Sequence, residues 1–263
     1  MLALQSRCIG AEVLRGMNVI SRRKLFKGAS LIAATAIGVN SVAAESNNAK
    51  KSKIIVTGGH PGDPEYGCGG TIARLTQAGH DVVLLYLNRG DPSEVAGVAK
   101  NFPRVSEAAK ACEILQARPL FAGQIDGAAM VDPAHYDAFR VLIEKEKPEL
   151  VLTHWPLDNH ADHRAMFMLV YEAWRRMKKS FALYFYEVST GEDTVQFAPT
   201  EFVDISATEK QKRDACFAHA SQSPERYYKL QEMVARMRGA ECGHAFAEGF
   251  VRHAQSARFE WPV

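Results

Sequence analysis

What the chain lacks narrows its class. Its five cysteines show no C-x-x-C spacing, so they do not form a disulfide framework. Cys68, Cys112, Cys216 and Cys242 read instead as small, mostly buried apolar residues. A formal charge of +2 is too small to argue for nucleic acid or an anionic membrane surface as partner. After residue 44 no apolar run approaches the roughly 20 residues of a spanning helix. Internal repeats and low-complexity segments are missing as well. The glycine fingerprint of a dinucleotide site is incomplete, because Gly67-Cys68-Gly69 is followed by Ile72 where a third glycine is needed. A nicotinamide- or flavin-dependent oxidoreductase is therefore disfavoured. What remains, 47% hydrophobic and 24% charged, suits one globular domain after an N-terminal leader.

The leader is read over residues 1–44. Ser21-Arg22-Arg23-Lys24-Leu25-Phe26-Lys27 precedes a short apolar run from Gly28 to Val42, and Val42-Ala43-Ala44 offers small residues for cleavage. This resembles a twin-arginine signal, with Leu25-Phe26 in the reverse of the commoner order. The expectation is a periplasmic or secreted protein with no membrane span after cleavage. Residues 1–16 match no part of such a leader, so translation from Met17 would leave a short basic start. A polar linker (45–52) then joins the leader to a domain over 53–263.

Within the domain, apolar runs of strand length alternate with helical stripes. Lys53–Thr57, Val82–Leu87, Pro119–Ala122 and Leu150–Thr153 read as strands, and segments near 72–79, 105–117, 134–145 and 162–177 as helices. Continuous rather than alternating apolarity marks strands buried on both faces. The pattern predicts an α/β fold with a mostly parallel sheet covered on both sides, ordered 3-2-1-4-5. Phe181–Val188 and Phe202–Ile205 are expected to form a strand pair or edge, followed by helices through Phe250. In such a sheet the loops after strands one and four face each other across the switch point, where ligands bind.

Those two loops are the ones rich in metal-ligand residue types. His60 and Asp63 flank the turn Pro61-Gly62, and His160 and His163 stand one helical turn apart. Two histidines and a carboxylate leave a position open for water, as in catalytic zinc sites, and the same set would suit iron(II). Trp155, in the second loop, is a candidate substrate contact.

The run Gly59-His-Pro-Gly-Asp-Pro-Glu-Tyr-Gly-Cys-Gly-Gly-Thr-Ile-Ala73, followed by His160-Ala-Asp-His-Arg164, resembles the PIG-L/LmbE-like family of N-acetyl-sugar and related deacetylases. Supporting matches are Arg104 with Glu107, Asp126-Gly127 and His219-Ala-Ser-Gln222, with a weaker echo at Ala247-Glu248-Gly249-Phe250. The resemblance implies a Rossmann-like three-layer sandwich that hydrolyses the amide of a small N-acyl substrate such as a sugar. It implies one zinc held by His60, Asp63 and His163, with His160 stabilising the charged intermediate and Asp162 orienting it. Arg104 and Asp126 match positions that hold the substrate's polar groups. One departure matters: the family pattern puts a general-base aspartate where this chain has Gly62. Asp162 is the first candidate to replace it and Glu65 the second, and an aspartate returned to position 62 is expected to restore part of the lost rate. The competing expectation is a metal-retaining, non-catalytic binding protein.

Overall fold

In the computed structural model the described residues are 51–91 and 103–261; the leader lies outside them. Strands β1 (Lys53–Gly58), β2 (Asp81–Asn88), β3 (Arg118–Gln124), β4 (Leu150–His154) and β5 (Ala182–Tyr186) alternate with helices α1 (Asp63–Gln77), α2 (Pro103–Leu115), α3 (Pro133–Glu146) and α4 (Ala161–Arg176). Then follow β6 (Glu201–Asp204), α5 (Glu209–Phe217), a short 3-10 turn (Ala220–Gln222), α6 (Pro224–Cys242) and β7 (Ala247–Arg252). The sheet order is β3-β2-β1-β4-β5-β7-β6. The first five strands are parallel, and β7 runs antiparallel to both its neighbours.

Strand alternation divides the core into two layers. Ile54, Val56, Val82, Leu84, Tyr86, Leu150 and Leu152 pack against Ile72 and Leu75 of α1 and Ala108, Cys112 and Leu115 of α2. Their alternates Ile55, Val83, Leu85, Leu87 and Val151 pack against Phe139 and Ile143 of α3 and Met166, Leu169 and Trp174 of α4. With both faces covered, every second residue has a reason to be apolar, which explains the unbroken apolar runs. The result is the expected three-layer sandwich, and the expected order 3-2-1-4-5 holds for the parallel strands.

The last third of the chain differs from expectation. The segments at 181–188 and 202–205 do not pair with each other, because β7 inserts between them. Ala247–Arg252 is a strand, not the end of a helical run. The stop signal exists, Gly243 at the C-cap of α6. However, a six-residue strand buried along its first four positions shows no period of two that would announce it.

Candidate metal centre

β1 and β4 are adjacent, so the loops leaving their carboxyl ends meet. Gly59 is needed at that junction: a Cβ there would lie 2.9 Å from the His163 ring and 3.3 Å from Asp63 Oδ2. The chain then turns at Gly62, φ 116°, a conformation that disfavours any side chain, and α1 begins at Asp63. On the other side, His160 is the N-cap of α4. Its Nδ1 accepts the Asp162 N–H at 3.2 Å, and this puts His163 in the first turn, facing Asp63.

Asp63 is the hub. Its Oδ2 lies 3.1 Å from His163 Nε2 and 3.4 Å each from His60 Nδ1 and His154 Nε2. Three overlapping groups of His and Asp side chains are close enough to hold an ion: His60 with His160 and His163, Asp63 with His154 and His163, and His60 with Asp126 and Asp162. The hydrogen-bond network selects among them, with ring tautomers assigned from their partners. His154 Nε2 accepts the Gly59 N–H at 3.0 Å, so its lone pair is used. His160 Nδ1 is used by the Asp162 N–H, which leaves Nε2 carrying the proton in the neutral ring. His60 Nε2 stands 3.1 Å from both Asp126 and Asp162, and His163 Nδ1 stands 3.1 Å from Asp158. Those carboxylates accept hydrogen bonds from the ring N–H groups, as outer partners of metal-bound histidines do. The lone pairs left free are His60 Nδ1 and His163 Nε2, and both converge on the Asp63 carboxylate. Two nitrogens and a carboxylate with matched outer acceptors fit a zinc-type ion.

The electrostatics follow from the crowding. Burial alone would push the Asp63 carboxyl up, but His163 and the hydrogen bonds from its neighbours hold it well below the usual carboxylate range. Burial opposes charge on His163 too, yet Asp63 and Asp158 overcome it and raise the ring to about 9. His154 goes the other way: burial and then the charge on His163 lower it to about 4. The 3.4 Å approach of His154 to Asp63 is therefore no ion pair, because the ring is neutral. The rings of His154 and His163 stack at 4.0 Å, 8° from parallel. His160 is lowered by burial and by the charges of His60 and His163.

The centre opens into a cavity of about 340 Å³. Besides His60, Asp63, His160 and His163, its wall includes Arg104 and Asp126. Arg104 donates to the Pro61 carbonyl at 2.9 Å and lies 3.9 Å from Asp126. Glu107, quoted with Arg104 as part of one pattern, accepts from the Ser221 N–H and hydroxyl and so holds the His219–Gln222 turn against α2.

Three of the expected residues are placed differently from expectation. Glu65 does not reach the cavity. It is fully buried, with Oε1 accepting from Tyr86 Oη at 2.6 Å and paired with His219 Nε2 at 3.0 Å. Pro64 does not redirect it inward, because Glu65 lies on the face of α1 that packs on the sheet. Trp155 is not in the cavity wall either; its ring packs edge-on against Phe185 and Phe197. Asp162 is turned to His60 rather than to a neighbouring histidine. Its Oδ2 also accepts from Asn88 Nδ2 at 3.1 Å and from the Gly127 N–H at 2.9 Å. Asn88 and Asp193 gave no sequence signal, since each is brought to the site by packing between segments distant in the chain; His154 and Asp158 lie in the ligand-rich second loop, but their aim is fixed only in the fold.

Position 62 has a further consequence. A Cβ there would meet only ordinary contacts, 3.6 Å to Tyr66 and 3.9 Å to His219, so space is not the obstacle. Backbone conformation is: φ 116° with a side chain costs about 1–2 kcal/mol. Gly62→Asp is expected to lower Tm by roughly 2–8 °C, so the rescue of rate expected from sequence would come with a loss of stability. A Gly62→Asp variant with unchanged melting and faster turnover would show that the loop can relax into the family's form.

Fold and site together define the class: a three-layer α/β protein with a histidine–carboxylate centre at the switch point of its parallel sheet. Comparisons place it more closely. The profile of the PIG-L family, described as GlcNAc-PI de-N-acetylase, matches residues 55–174. A diacetylchitobiose deacetylase from Thermococcus kodakarensis is 31% identical over 219 residues, covering 75% of this chain and 81% of that protein. The chain belongs to the PIG-L family. Among solved structures, the conserved protein TT1542 from Thermus thermophilus superposes with a TM-score of 0.68 at 27% identity, covering 81% of this chain and 99% of that one. A 4-carboxy-2-hydroxymuconate hydratase from Pseudomonas putida KT2440 has the same TM-score at 22% identity, covering 80% and 99%, and shows the shared fold.

Proposed function

We propose that this protein is a zinc-dependent N-deacetylase that hydrolyses the amide of an N-acetylated sugar or related N-acyl compound. The observation that carries the reading is the convergence of His60 Nδ1, His163 Nε2 and the Asp63 carboxylate, with His154 Nε2 and His160 Nδ1 already accepting backbone N–H groups. The shared fold also carries a hydratase, so the fold does not choose the reaction. The 31% identity to a diacetylchitobiose deacetylase favours the amide. Bound zinc supplies Lewis acidity toward a carbonyl oxygen and toward water.

The chain's own residues do the rest. His160, which burial favours in its neutral form, carries its proton on Nε2 because Nδ1 accepts the Asp162 N–H, and donates it as a hydrogen bond to the oxygen of the tetrahedral intermediate. A neutral donor suits this role because it adds no charge repulsion to a centre that already holds a cation. Arg104 and Asp126, side by side in the wall, offer a donor and an acceptor to substrate hydroxyls. A cavity of about 340 Å³ falls at the small end of the range for small-molecule sites, roughly 300–1,000 Å³.

The test is acetate release from a panel of N-acetylated mono- and disaccharides, before and after chelation and with zinc or iron(II) returned. Release that stops on chelation and returns with zinc is the expected result. A full rate in chelated protein would overturn the metal dependence. A metal-loaded protein that hydrolyses none of the panel would favour the binding-protein reading.

A further inference from the structure

Each of the acids nearest the metal centre already has a partner on at least one oxygen. Asp63 stands among the ligand atoms, and Asp126 faces His60 Nε2 at 3.1 Å. Asp162 is buried with one oxygen approached by three nitrogens, and Glu65 is held behind the wall by Tyr86 and His219. Gly62 supplies nothing. Yet the wall of the cavity contains another carboxylate, Asp193, on the loop between β5 and β6.

That loop is firmly tied. Glu187, just before it, pairs with Arg238 through hydrogen bonds of 2.6 and 2.9 Å. The Val188 N–H donates to Thr194 Oγ1 at 2.9 Å, and Thr194 Oγ1 donates to Asp158 Oδ2 at 3.0 Å. The Asn159 N–H donates to the Asp193 carbonyl at 2.8 Å. The last two bonds fix the loop to the segment that supplies His160 and His163. No hydrogen bond from a described residue reaches either Asp193 carboxyl oxygen, whereas Asp63, Asp126, Asp162 and Glu65 each have a partner on at least one oxygen. Its neighbour Glu192 also lines the cavity but is exposed.

We propose that Asp193 is the general base of the amide hydrolysis, performing the duty that the family pattern gives to an aspartate at position 62. This rests on the deacetylase reading above. As the water oxygen bonds to the amide carbon, one water proton passes to Asp193 and the carbonyl π pair moves to the oxygen. The acid then gives that proton to the amide nitrogen as the C–N bond breaks. The oxygen's pair re-forms the carbonyl, one water is consumed, a carboxylic acid and an amine form and exchange the acid's proton to give carboxylate and ammonium, and Asp193 ends ionised.

Charge around Asp193 is consistent with the task. Burial pushes its carboxyl up to about 6, with His163 pulling it down and Asp63, Asp158 and Glu192 pushing it up. In the metal-free protein such a group is ionised at neutral pH, and a bound cation would favour the ionised form further.

The experiment is steady-state kinetics of the zinc-loaded full-length protein and of Asp193→Asn, Asp193→Glu and Glu192→Gln, each with its metal content measured. For Asp193→Asn, kcat should fall about 10²–10⁴-fold with KM little changed and metal content as in the parent. The parent's kcat should decline on the acid side as one carboxyl protonates, and the residual activity of Asp193→Asn should lose that limb. Asp193→Glu should recover part of the rate. An active parent with Asp193→Asn at full rate, with only KM raised, or with metal lost would overturn the base alone. So would a comparable loss in Glu192→Gln without one in Asp193→Asn. A parent inactive on every N-acyl substrate would overturn the deacetylase reading and the base together.

Discussion

Replacing His163 by alanine is expected to cost more divalent-metal affinity than any other single change in the chain, and with it all hydrolysis. His163 joins both halves of the site. Its Nε2 faces Asp63 at 3.1 Å, its Nδ1 is fixed by Asp158 at 3.1 Å, and its ring stacks on His154. Alanine removes a proposed ligand and leaves Asp63 and Asp158 facing a void. Outer-partner replacements cost about 10–100-fold in metal affinity; Asp158→Asn should fall in that range, and His163→Ala well beyond it. Competition with a fluorescent chelator would measure both. Similar affinities for the two variants would mean that His163 is not a ligand, and would return His154 to consideration. The sign of the pH dependence is fixed as well. The His163 proton is held up to about 9 in the metal-free protein, so binding at neutral pH must displace it. Affinity should rise with pH through that value, and metal addition to weakly buffered protein should release protons.

The parts of this protein that could be read in its sequence are those fixed by short-range pattern. The parallel strands announced themselves because burial on both faces demands apolar residues at every position. His60 and Asp63 lie in one tight loop, and His160 and His163 on one helical turn, so their convergence needed only the strand order. Asp162 was legible as a site residue but not in its aim, since that depends on Asn88 at the end of β2 and the Gly127 N–H after β3. Glu65 shows the same limit from the other side. Two residues from a ligand, it points into the core because α1 rotates it onto Tyr86. Asp193 belongs to no pattern at all and is placed by hydrogen bonds to a loop about thirty-five residues earlier in the chain.

The echo at Ala247-Glu248-Gly249-Phe250 has a physical reason that leads to the largest expected loss of stability. Helix α1 is broken at Cys68, φ −146° and ψ 28°, so its second half begins anew inside the protein with unpaired N–H groups. Glu248, on β7, meets them: Oε1 accepts the Gly70 N–H at 3.0 Å and Oε2 the Thr71 N–H at 2.7 Å. Oε1 also accepts from Lys212 Nζ at 2.6 Å, and both side chains are 2% exposed. Burial would strip the Lys212 proton, but Glu248 overcomes it and raises the ammonium above its ordinary range. Glu248→Ala leaves a buried ammonium and two buried N–H groups without their acceptor. Breaking a buried pair in this way costs about 3–5 kcal/mol, which for a domain of this size is on the order of 10 °C in Tm. Lys212→Met should cost less, because the Glu248 carboxylate keeps both backbone donors. Calorimetry of the two variants checks the order. If Glu248→Ala melts within about 2 °C of the parent, a shift worth at most roughly 1 kcal/mol, the broken helix does not depend on this carboxylate. If Lys212→Met is the worse of the two, the ion pair rather than the capping of α1 carries the stability.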